Sequence, residues 1–309
     1  MMKPIPRGES LIERAAAVYD FSAPFRQASL DEGVRSDPAA GPALPLRDEP
    51  ATRIAHATPT PRPVGTSAAV DRGRLAEQGL LVPGAPVGVL AEEFRLVKRQ
   101  LLLTARAVHA TEGDRSRTIL VCSANPNEGK TFCSLNLALS MAAERDTEVL
   151  LVDADFAKPD VLERLGLPAG PGLLDALADP GIDIESCVMT TDVPQFSVLP
   201  AGRKSTQDTE LLASDRTPAL MQALLDADPR RILIFDSPPA LAASPAATLA
   251  LHVGQVMLVV RADRTSEGDL RAAVSLLDGC AHIQLLLNAV SYAPGGRRFG
   301  SYYGQEALA

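Results

Sequence analysis

One stretch near the middle of the chain limits what the protein can fold into: TILVCSANPNEGKTFCSLNLALSMAA, from Thr118 to Ala143. It begins with a β-branched, apolar run that predicts a buried strand, and it ends with apolar residues at helical spacing. Between them lies Ala124-Asn-Pro-Asn-Glu-Gly-Lys-Thr131, with alanine where a phosphate-binding loop usually has its first glycine. Strand, polar turn and helix in this order predict a loop that holds the phosphates of a nucleotide.

The residue types of this loop suit that role. Gly129 lets the backbone approach closely, Lys130 reaches the outer phosphates, and the Thr131 hydroxyl can ligate Mg²⁺. A helix that begins with Gly-Lys-Thr by chance is the alternative, but strand, loop and helix fall in register. The residues expected to contact the nucleotide are Asn125, Pro126, Asn127, Glu128, Gly129, Lys130, Thr131 and Phe132.

Further apolar runs follow the loop, and we interpret them as strands: Glu148–Asp155, Arg231–Asp236, Gln255–Val260 and Ile283–Asn288. Helical patterns lie between some of them, near 208–227 and 266–279. Near-continuous apolar runs are typical of parallel strands buried on both faces. The alternation predicts an α/β fold, a doubly wound and mostly parallel sheet of the P-loop NTPase type. The nucleotide should then bind at the carboxyl ends of the strands.

Three aspartates lie at the ends of predicted strands: Asp153, Asp155 and Asp236. Parallel strands end at one edge of a sheet, the edge that also carries the loop, so these carboxylates should converge on the Mg²⁺–phosphate region. A single aspartate at such a position is often only a helix cap or a turn former. We expect Asp236 to contact the metal through water, by analogy with the strand-terminal aspartate of other phosphate-loop enzymes. The residues alone do not divide the remaining roles between Asp153 and Asp155.

Composition narrows the class of protein. A formal net charge of -8 and a pI near 5.1 argue against a nucleic-acid partner. The four cysteines show no metal-ligand spacing, and a reducing cytoplasm is the simplest compartment for them. No apolar run approaches the roughly 18–20 residues of a membrane span, and the N-terminus lacks the apolar core of a signal peptide. We therefore expect a cytoplasmic protein, which a partner could hold at the inner face of the membrane.

The two ends of the chain differ from its centre. Residues 1–86 contain twelve of the 25 prolines, which predicts a mostly disordered, Pro/Ala-rich extension. A capping-box pattern at Ser10 predicts one short helix near 10–20, either transiently ordered or a docking helix for a partner. Residues 87–291 are the predicted globular domain, and 292–309 a flexible tail. This end of the chain holds three of the four tyrosines, in a Gly/Arg/Ser context: Tyr292, Tyr302 and Tyr303.

Three segments resemble, in this order, the nucleotide motifs of the bacterial tyrosine autokinases of polysaccharide-export systems: SANPNEGKT, VLLVDADFAKP and ILIFDSPP. The similarity runs from Val89 to Gly304. Within it, LAEEFRLVKR resembles a helix whose Glu-x-x-Arg-x-x-Arg pattern mediates ring-shaped oligomers in that family. The corresponding residues here are Glu92, Arg95 and Lys98. The most similar subgroup is that of the cytoplasmic kinases linked to exosortase-type exopolysaccharide loci.

The resemblance implies an ATP- and Mg²⁺-dependent protein-tyrosine kinase that phosphorylates its own terminal tyrosines in trans and regulates exopolysaccharide polymerisation or export. Lys130 would contact the β- and γ-phosphates, Asp153 would accept the tyrosine proton, and the metal would be held by Thr131, Asp155 and Asp236. The implied partners are a membrane-embedded chain-length-determinant or activator protein, further copies of the chain, and a tyrosine phosphatase.

Some positions depart from the family pattern, and two alternative functions stay open. Ala157 stands where an arginine is common, and Lys98 lacks the bidentate fork of the usual arginine. One rival is a partition- or septum-type P-loop ATPase, although the signature lysine of that class is replaced here by Asn125. The other rival is a regulatory scaffold that binds a nucleotide without transferring phosphate.

Overall fold

The computed structural model describes residues 67–290, and a seven-stranded sheet lies at their centre. Its strands are β1 (Thr118–Ser123), β2 (Glu148–Asp153), β3 (Met189–Thr190), β4 (Phe196–Leu199), β5 (Arg231–Asp236), β6 (Gln255–Arg261) and β7 (Ile283–Asn288). They are ordered β3-β4-β2-β5-β1-β6-β7, and every neighbouring pair is parallel except β3 with β4. The predicted mostly parallel α/β sheet is confirmed.

Helices cover both faces of the sheet. They are α1 (Arg72–Glu77), α2 (Val89–Glu112), α3 (Lys130–Ala142), α4 (Val161–Leu165), α5 (Leu173–Ala178), α6 (Asp208–Leu212), α7 (Arg216–Asp226), α8 (Pro245–Ala250) and α9 (Glu267–Leu276). Short 3₁₀ helices lie at Gly113–Arg117 and Ile184–Cys187. Among the helices of residues 67–290, none is long and apolar enough to cross a membrane.

Two apolar cores, one on each side of the sheet, account for the near-continuous apolar strands. Alternate residues of β1 illustrate this: Leu120 packs into one core, and Ile119 and Val121 pack into the other. Helix α3 lies in the second core and is buried along almost its whole length. Because β1 lies between β5 and β6, the loop between β1 and α3 occupies the middle of the carboxyl edge.

The fold begins earlier than predicted. Residues 67–86 were assigned to the extension, yet Asp71 caps α1, and Leu75 in that helix is fully buried. Ala68 forms a bridge with Thr191. The predicted boundary at residue 87 is therefore wrong. Proline content describes only the local sequence, and it does not reveal that apolar side chains in this stretch pack into a core formed by residues much later in the chain. The rest of the predicted extension, the helix near 10–20 and the terminal tail lie outside the described residues.

Candidate active site

The carboxyl edge of the sheet brings two of the predicted aspartates side by side. Asp153 ends β2 and Asp236 ends β5, and the two residues are direct partners in the parallel ladder. Asp236 is also in register with Val121 of β1, just before the loop. Both aspartates are almost fully buried, each with 1% exposure. The edge therefore places two carboxyl groups next to the beginning of the phosphate-binding loop.

The loop has the backbone conformation that its sequence suggests. Gly129 has φ +96°, and a Cβ atom at this position would lie 2.2 Å from the Asn288 side-chain nitrogen. Asn127 also has a positive φ, 64°, which asparagine tolerates better than most residues. Ala124, at the position of the usual first glycine, is buried and has no positive φ, so its methyl group causes no backbone strain. Pro126 is exposed at the tip of the loop, and the Phe132 side chain packs against the core.

Distant residues hold the loop through Glu128, whose side chain is only 2% exposed. One carboxylate oxygen of Glu128 accepts a hydrogen bond from the Asn125 backbone N–H at 2.9 Å, and the other accepts one from the Thr265 hydroxyl at 2.5 Å. The Asn288 side chain donates to the Glu128 carbonyl oxygen at 2.9 Å, and Arg261 donates to the Asn127 carbonyl oxygen at 3.2 Å. The ends of β6 and β7 therefore brace the loop.

We expect Thr265→Val to weaken ADP binding roughly tenfold, because it removes a hydrogen bond to the carboxylate that shapes the loop. Isothermal titration calorimetry with Mg²⁺ present measures this dissociation constant. Thr248→Val, which removes a hydroxyl donating to the Ser244 carbonyl at the start of α8, is the matched control and should leave affinity unchanged. Equal affinities for both variants would contradict the bracing role of Thr265.

Lys130 and Asp155 form an ion pair at the start of α3. The Lys130 Nζ atom lies 2.7 Å from Asp155 Oδ2, and the two side chains are 15% and 7% exposed. The other Asp155 oxygen accepts from the Lys158 backbone N–H at 3.2 Å. Asp155 therefore orients the lysine beside the loop, a contact that the sequence did not reveal.

Asp236 retains an unused acceptor. Its Oδ1 atom accepts a hydrogen bond from the Ser134 hydroxyl at 2.9 Å. No group within residues 67–290 donates to its buried Oδ2 atom. Burial raises the pKa of Asp236 to about 6, although Lys130, Thr131 and Ser134 act in the opposite direction. Ser134, one helical turn beyond Lys130, was not identified from the sequence.

Asp153 is the more strongly perturbed carboxyl group. Its two oxygens accept from the backbone N–H groups of Asp155 and Val161, at 3.3 and 3.2 Å. Burial, and secondarily the charge of Asp236, raise the pKa of Asp153 to about 7. A carboxyl group with a pKa near neutrality is suited to accept a proton from a reacting group.

These oxygen donors fit Mg²⁺ bound together with a nucleotide. Over residues 67–290, no three acidic, histidine or cysteine side chains are grouped closely enough to hold a metal ion alone. Magnesium commonly binds one or two protein ligands together with phosphate oxygens, so such a cage is not required. The free Oδ2 atom of Asp236, beside the Thr131 hydroxyl and near Asp155, provides that kind of partial site.

The remaining predicted residues lie away from this edge or outside the description. Glu92 and Arg95 form an ion pair with each other on α2. Lys98 points into its own subunit, where its Nζ atom lies 2.6 Å from Glu144 Oε1 and donates to the Ser140 carbonyl at 2.8 Å. The contacts of Lys98 therefore lie within its own subunit, and the part of Glu92, Arg95 and Lys98 in oligomerisation stays a prediction. The three tail tyrosines lie beyond the described residues.

Comparisons with known proteins agree with this geometry. The chain is 27% identical to the tyrosine-protein kinase Wzc of Salmonella typhimurium over 235 residues, which is 75% of this chain and 31% of that protein. It is 26% identical to the tyrosine-protein kinase YwqD of Bacillus subtilis, covering 68% of this chain and 84% of that one. No protein-family model matches the chain.

Solved structures are also similar to this chain. The kinase domain of VpsO is 32% identical, with a TM-score of 0.52, and the match covers 63% of this chain and 98% of that domain. The kinase domain of the Escherichia coli tyrosine kinase ETK shares the fold at 22% identity, with a TM-score of 0.55, over 73% of this chain and 92% of that one. The chain spans less than a third of the length of the Salmonella relatives that it matches.

Proposed function

The chain belongs to the family of bacterial tyrosine kinases, and we propose that it is an ATP-dependent protein-tyrosine autokinase. The observation that supports this most directly is that Asp153 and Asp236 are direct partners in the parallel pairing of β2 and β5. Both lie at the carboxyl edge of the sheet, where Lys130 begins the helix that follows the phosphate-binding loop. Together they offer a cation for phosphate, an acceptor for metal and a carboxylate for a proton. This is the set of groups that phosphoryl transfer from ATP requires.

In the proposed mechanism, the backbone N–H groups of the loop and the start of α3 bind the phosphates of ATP. Lys130 turns from Asp155 to the β- and γ-phosphates and offsets their charge. Mg²⁺, when bound by Thr131, Asp155 and Asp236, would supply further charge neutralisation. Positioning and electrostatics then provide most of the rate.

The proton is moved by Asp153. We assign it the role of accepting the phenolic proton of Tyr292, Tyr302 or Tyr303 from another copy of the chain. The phenolic oxygen bonds to the γ-phosphorus as the bond from that phosphorus to the β–γ bridging oxygen breaks, which releases ADP. A carboxyl group with a pKa near neutrality is suited to this task, because it is partly ionised at physiological pH yet basic enough to take the proton.

The wider role follows from the resemblance to autokinases of polysaccharide-export systems. We propose that the chain acts at the inner face of the membrane through an embedded chain-length-determinant or activator protein. Homo-oligomers would bring the tail of one copy to the site of another, and a tyrosine phosphatase would reset the tail. Tail phosphorylation, which adds about -1.5 to -2 charge per tyrosine, would regulate polymerisation or export. Membership of the exosortase-linked subgroup stays a prediction.

Transfer between copies is tested by mixing two variants of the full chain, neither of which can phosphorylate its own tail. One chain carries Lys130→Met with an intact tail, and the other has an intact site with the three tail tyrosines changed to phenylalanine. After incubation with Mg·ATP, intact mass spectrometry should show phosphate on the first chain only. Unmodified chains together with continued ATP hydrolysis would favour a partition-type ATPase. Nucleotide binding with neither reaction would favour a scaffold.

A further inference from the structure

The segment that precedes α2 packs against α4, the five-residue helix that follows the end of β2. We call this segment, residues 68–81, the strap. At one end, Ala68 donates its backbone N–H to β3 at 3.0 Å, and at the other, Leu81 donates to a buried asparagine side chain of α3 at 2.8 Å. Between these anchors lies α1, whose Leu75 is fully buried in the same core as the apolar residues of α4. The strap is therefore an integral part of the folded domain.

The strap binds the carboxyl end of α4, where the carbonyl oxygens of the last three helical residues each accept a hydrogen bond from it. These bonds run from the Arg74 side chain to Glu163 at 2.5 Å, from the Gln78 side chain to Arg164 at 3.2 Å, and from the Asp71 backbone N–H to Leu165 at 2.9 Å. A helix of five residues is not stable by itself in water, because it makes too few hydrogen bonds to offset the cost of ordering its backbone. The strap therefore supplies contacts that hold α4 in place.

The opposite end of α4 holds the carboxylate of Asp153. The backbone N–H of Val161, the first residue of α4, donates to Asp153 Oδ2 at 3.2 Å, and both residues are buried. Helix α4 is therefore bonded to the strap at one end and to this aspartate at the other. A misplacement of about 1 Å at a reacting group can lower a rate about 100-fold, so the position of α4 matters to any reaction in which Asp153 takes part.

We propose that the strap is a positioning element for tyrosine phosphorylation: through α4 it orients the Asp153 carboxylate to accept the phenolic proton. This inference rests on the proposed function. Arg74 and Gln78 are the positioning residues, because their side chains join the strap to the backbone of α4. Apolar side chains such as Leu75 and Leu80 attach the strap to the core separately. Arg74 and Gln78 are also at least partly exposed, so changing them should leave the domain folded.

Removing the two side-chain contacts tests this role. In the full chain, Arg74→Met combined with Gln78→Leu should lower the maximal rate of tail phosphorylation about tenfold. The KM for ATP should stay within about twofold, because β6 and β7 brace the phosphate-binding loop independently of the strap. Arg74→Lys, which can still donate to the Glu163 carbonyl, should keep most of the wild-type rate. Arg230→Met removes an arginine paired with Asp228 just before β5, and as the matched control it should leave the rate unchanged. A raised KM with an unchanged maximal rate would overturn the proposal.

A double-mutant cycle tests whether the strap acts through Asp153. The maximal rate is measured for the strap variant with both substitutions, for Asp153→Asn, and for the two combined. If the strap serves to orient this carboxylate, the strap substitutions should have no further effect once the carboxylate has been removed. A further tenfold loss in the Asp153→Asn background would show that the strap acts on another residue or only on stability, and the proposal would be wrong.

Hydrogen exchange distinguishes a failure of this inference from a failure of the proposed function, because it needs no phosphotyrosine. In the nucleotide-free strap variant, the backbone amides of residues 161–167 should exchange faster than in the wild type, while β2 and α3 keep their protection. Unchanged exchange at 161–167 would overturn the inference. So would faster exchange in a variant that phosphorylates its tail at the wild-type rate, and the kinase assignment would then stand. A wild-type chain without kinase activity would refute the proposed function, and this inference with it.

Discussion

The variant Lys130→Met is expected to form phosphotyrosine about 10²–10³-fold more slowly than the wild-type chain, the usual effect of removing one charged group from a polar active site. The Lys130 side chain is mostly shielded from water, beside Asp155. A cation in such a place interacts more strongly with phosphate than it would in bulk water. Methionine keeps the length and the apolar stem of the side chain but removes the charge. Initial rates from intact mass spectrometry with Mg·ATP measure the effect.

Two controls make this result interpretable. Lys204→Met removes a lysine from an exposed loop and should leave the rate unchanged. Because Lys130→Met leaves Asp155 without its ion-pair partner, thermal unfolding of the variant must be measured as well. A folded Lys130→Met protein that still forms phosphotyrosine at the wild-type rate would contradict the mechanism.

The long strands of the sheet could be predicted because each of them is marked by a continuous apolar run in its own sequence. The apolar runs ending at Asp153 and Asp236 are buried on both faces, and no distant residue is needed to recognise them. Strands β3 and β4 were missed since they contain only two and four residues, near Pro194 and Pro200. Their place in the sheet depends on the pairing of β4 with β2 and of β3 with β4, which segments this short do not predict.

The residues of the active site divide in the same way, into those that the local sequence predicts and those whose roles depend on contacts with distant residues. Strand ends and the loop sequence predicted Lys130 and the aspartates, because parallel strands end at one edge. Thr265 and Asn288 were missed, since they reach Glu128 from 137 and 160 residues further along the chain. Lys98 shows the converse case. Its spacing from Glu92 indicated a shared flank, but the packing of α2 on α3 decides that Lys98 points inward.

Asp236→Asn is expected to abolish most kinase activity while making the nucleotide-free protein more stable at alkaline pH. Activity should fall about 10²–10³-fold, because the substitution removes a carboxylate that Mg²⁺ would use. Stability should rise because burial penalises the charged form of Asp236, whose charge secondarily raises the pKa of the neighbouring Asp153. An amide has nearly the same shape, leaves the Ser134 hydroxyl a hydrogen-bonding partner, and removes one of the two charges.

The raised pKa values of Asp236 and Asp153 determine whether the stability of the wild-type protein rises or falls with pH. The pKa of Asp236 rises from its ordinary value of 3.8 to about 6, and that of Asp153 to about 7, mainly because of burial. Between the unfolded and the folded pKa values, the folded state holds protons that the unfolded chain has lost. Wild-type stability from these groups is therefore present at low pH and is lost as the pH rises towards about 7.

The asparagine variant avoids part of that loss, because residue 236 no longer titrates and its charge no longer adds to the burial that raises the pKa of Asp153. Its melting temperature should match that of the wild type near pH 4 and exceed it by several degrees at pH 8, since each kcal/mol is worth about 2–4 °C in a domain of this size. Thermal scans in EDTA measure the difference. Gln100→Glu, an exposed exchange of amide and acid on α2, controls for a general effect of charge. A difference that stays constant between pH 4 and 8 would show that Asp236 and Asp153 are not coupled through burial and repulsion.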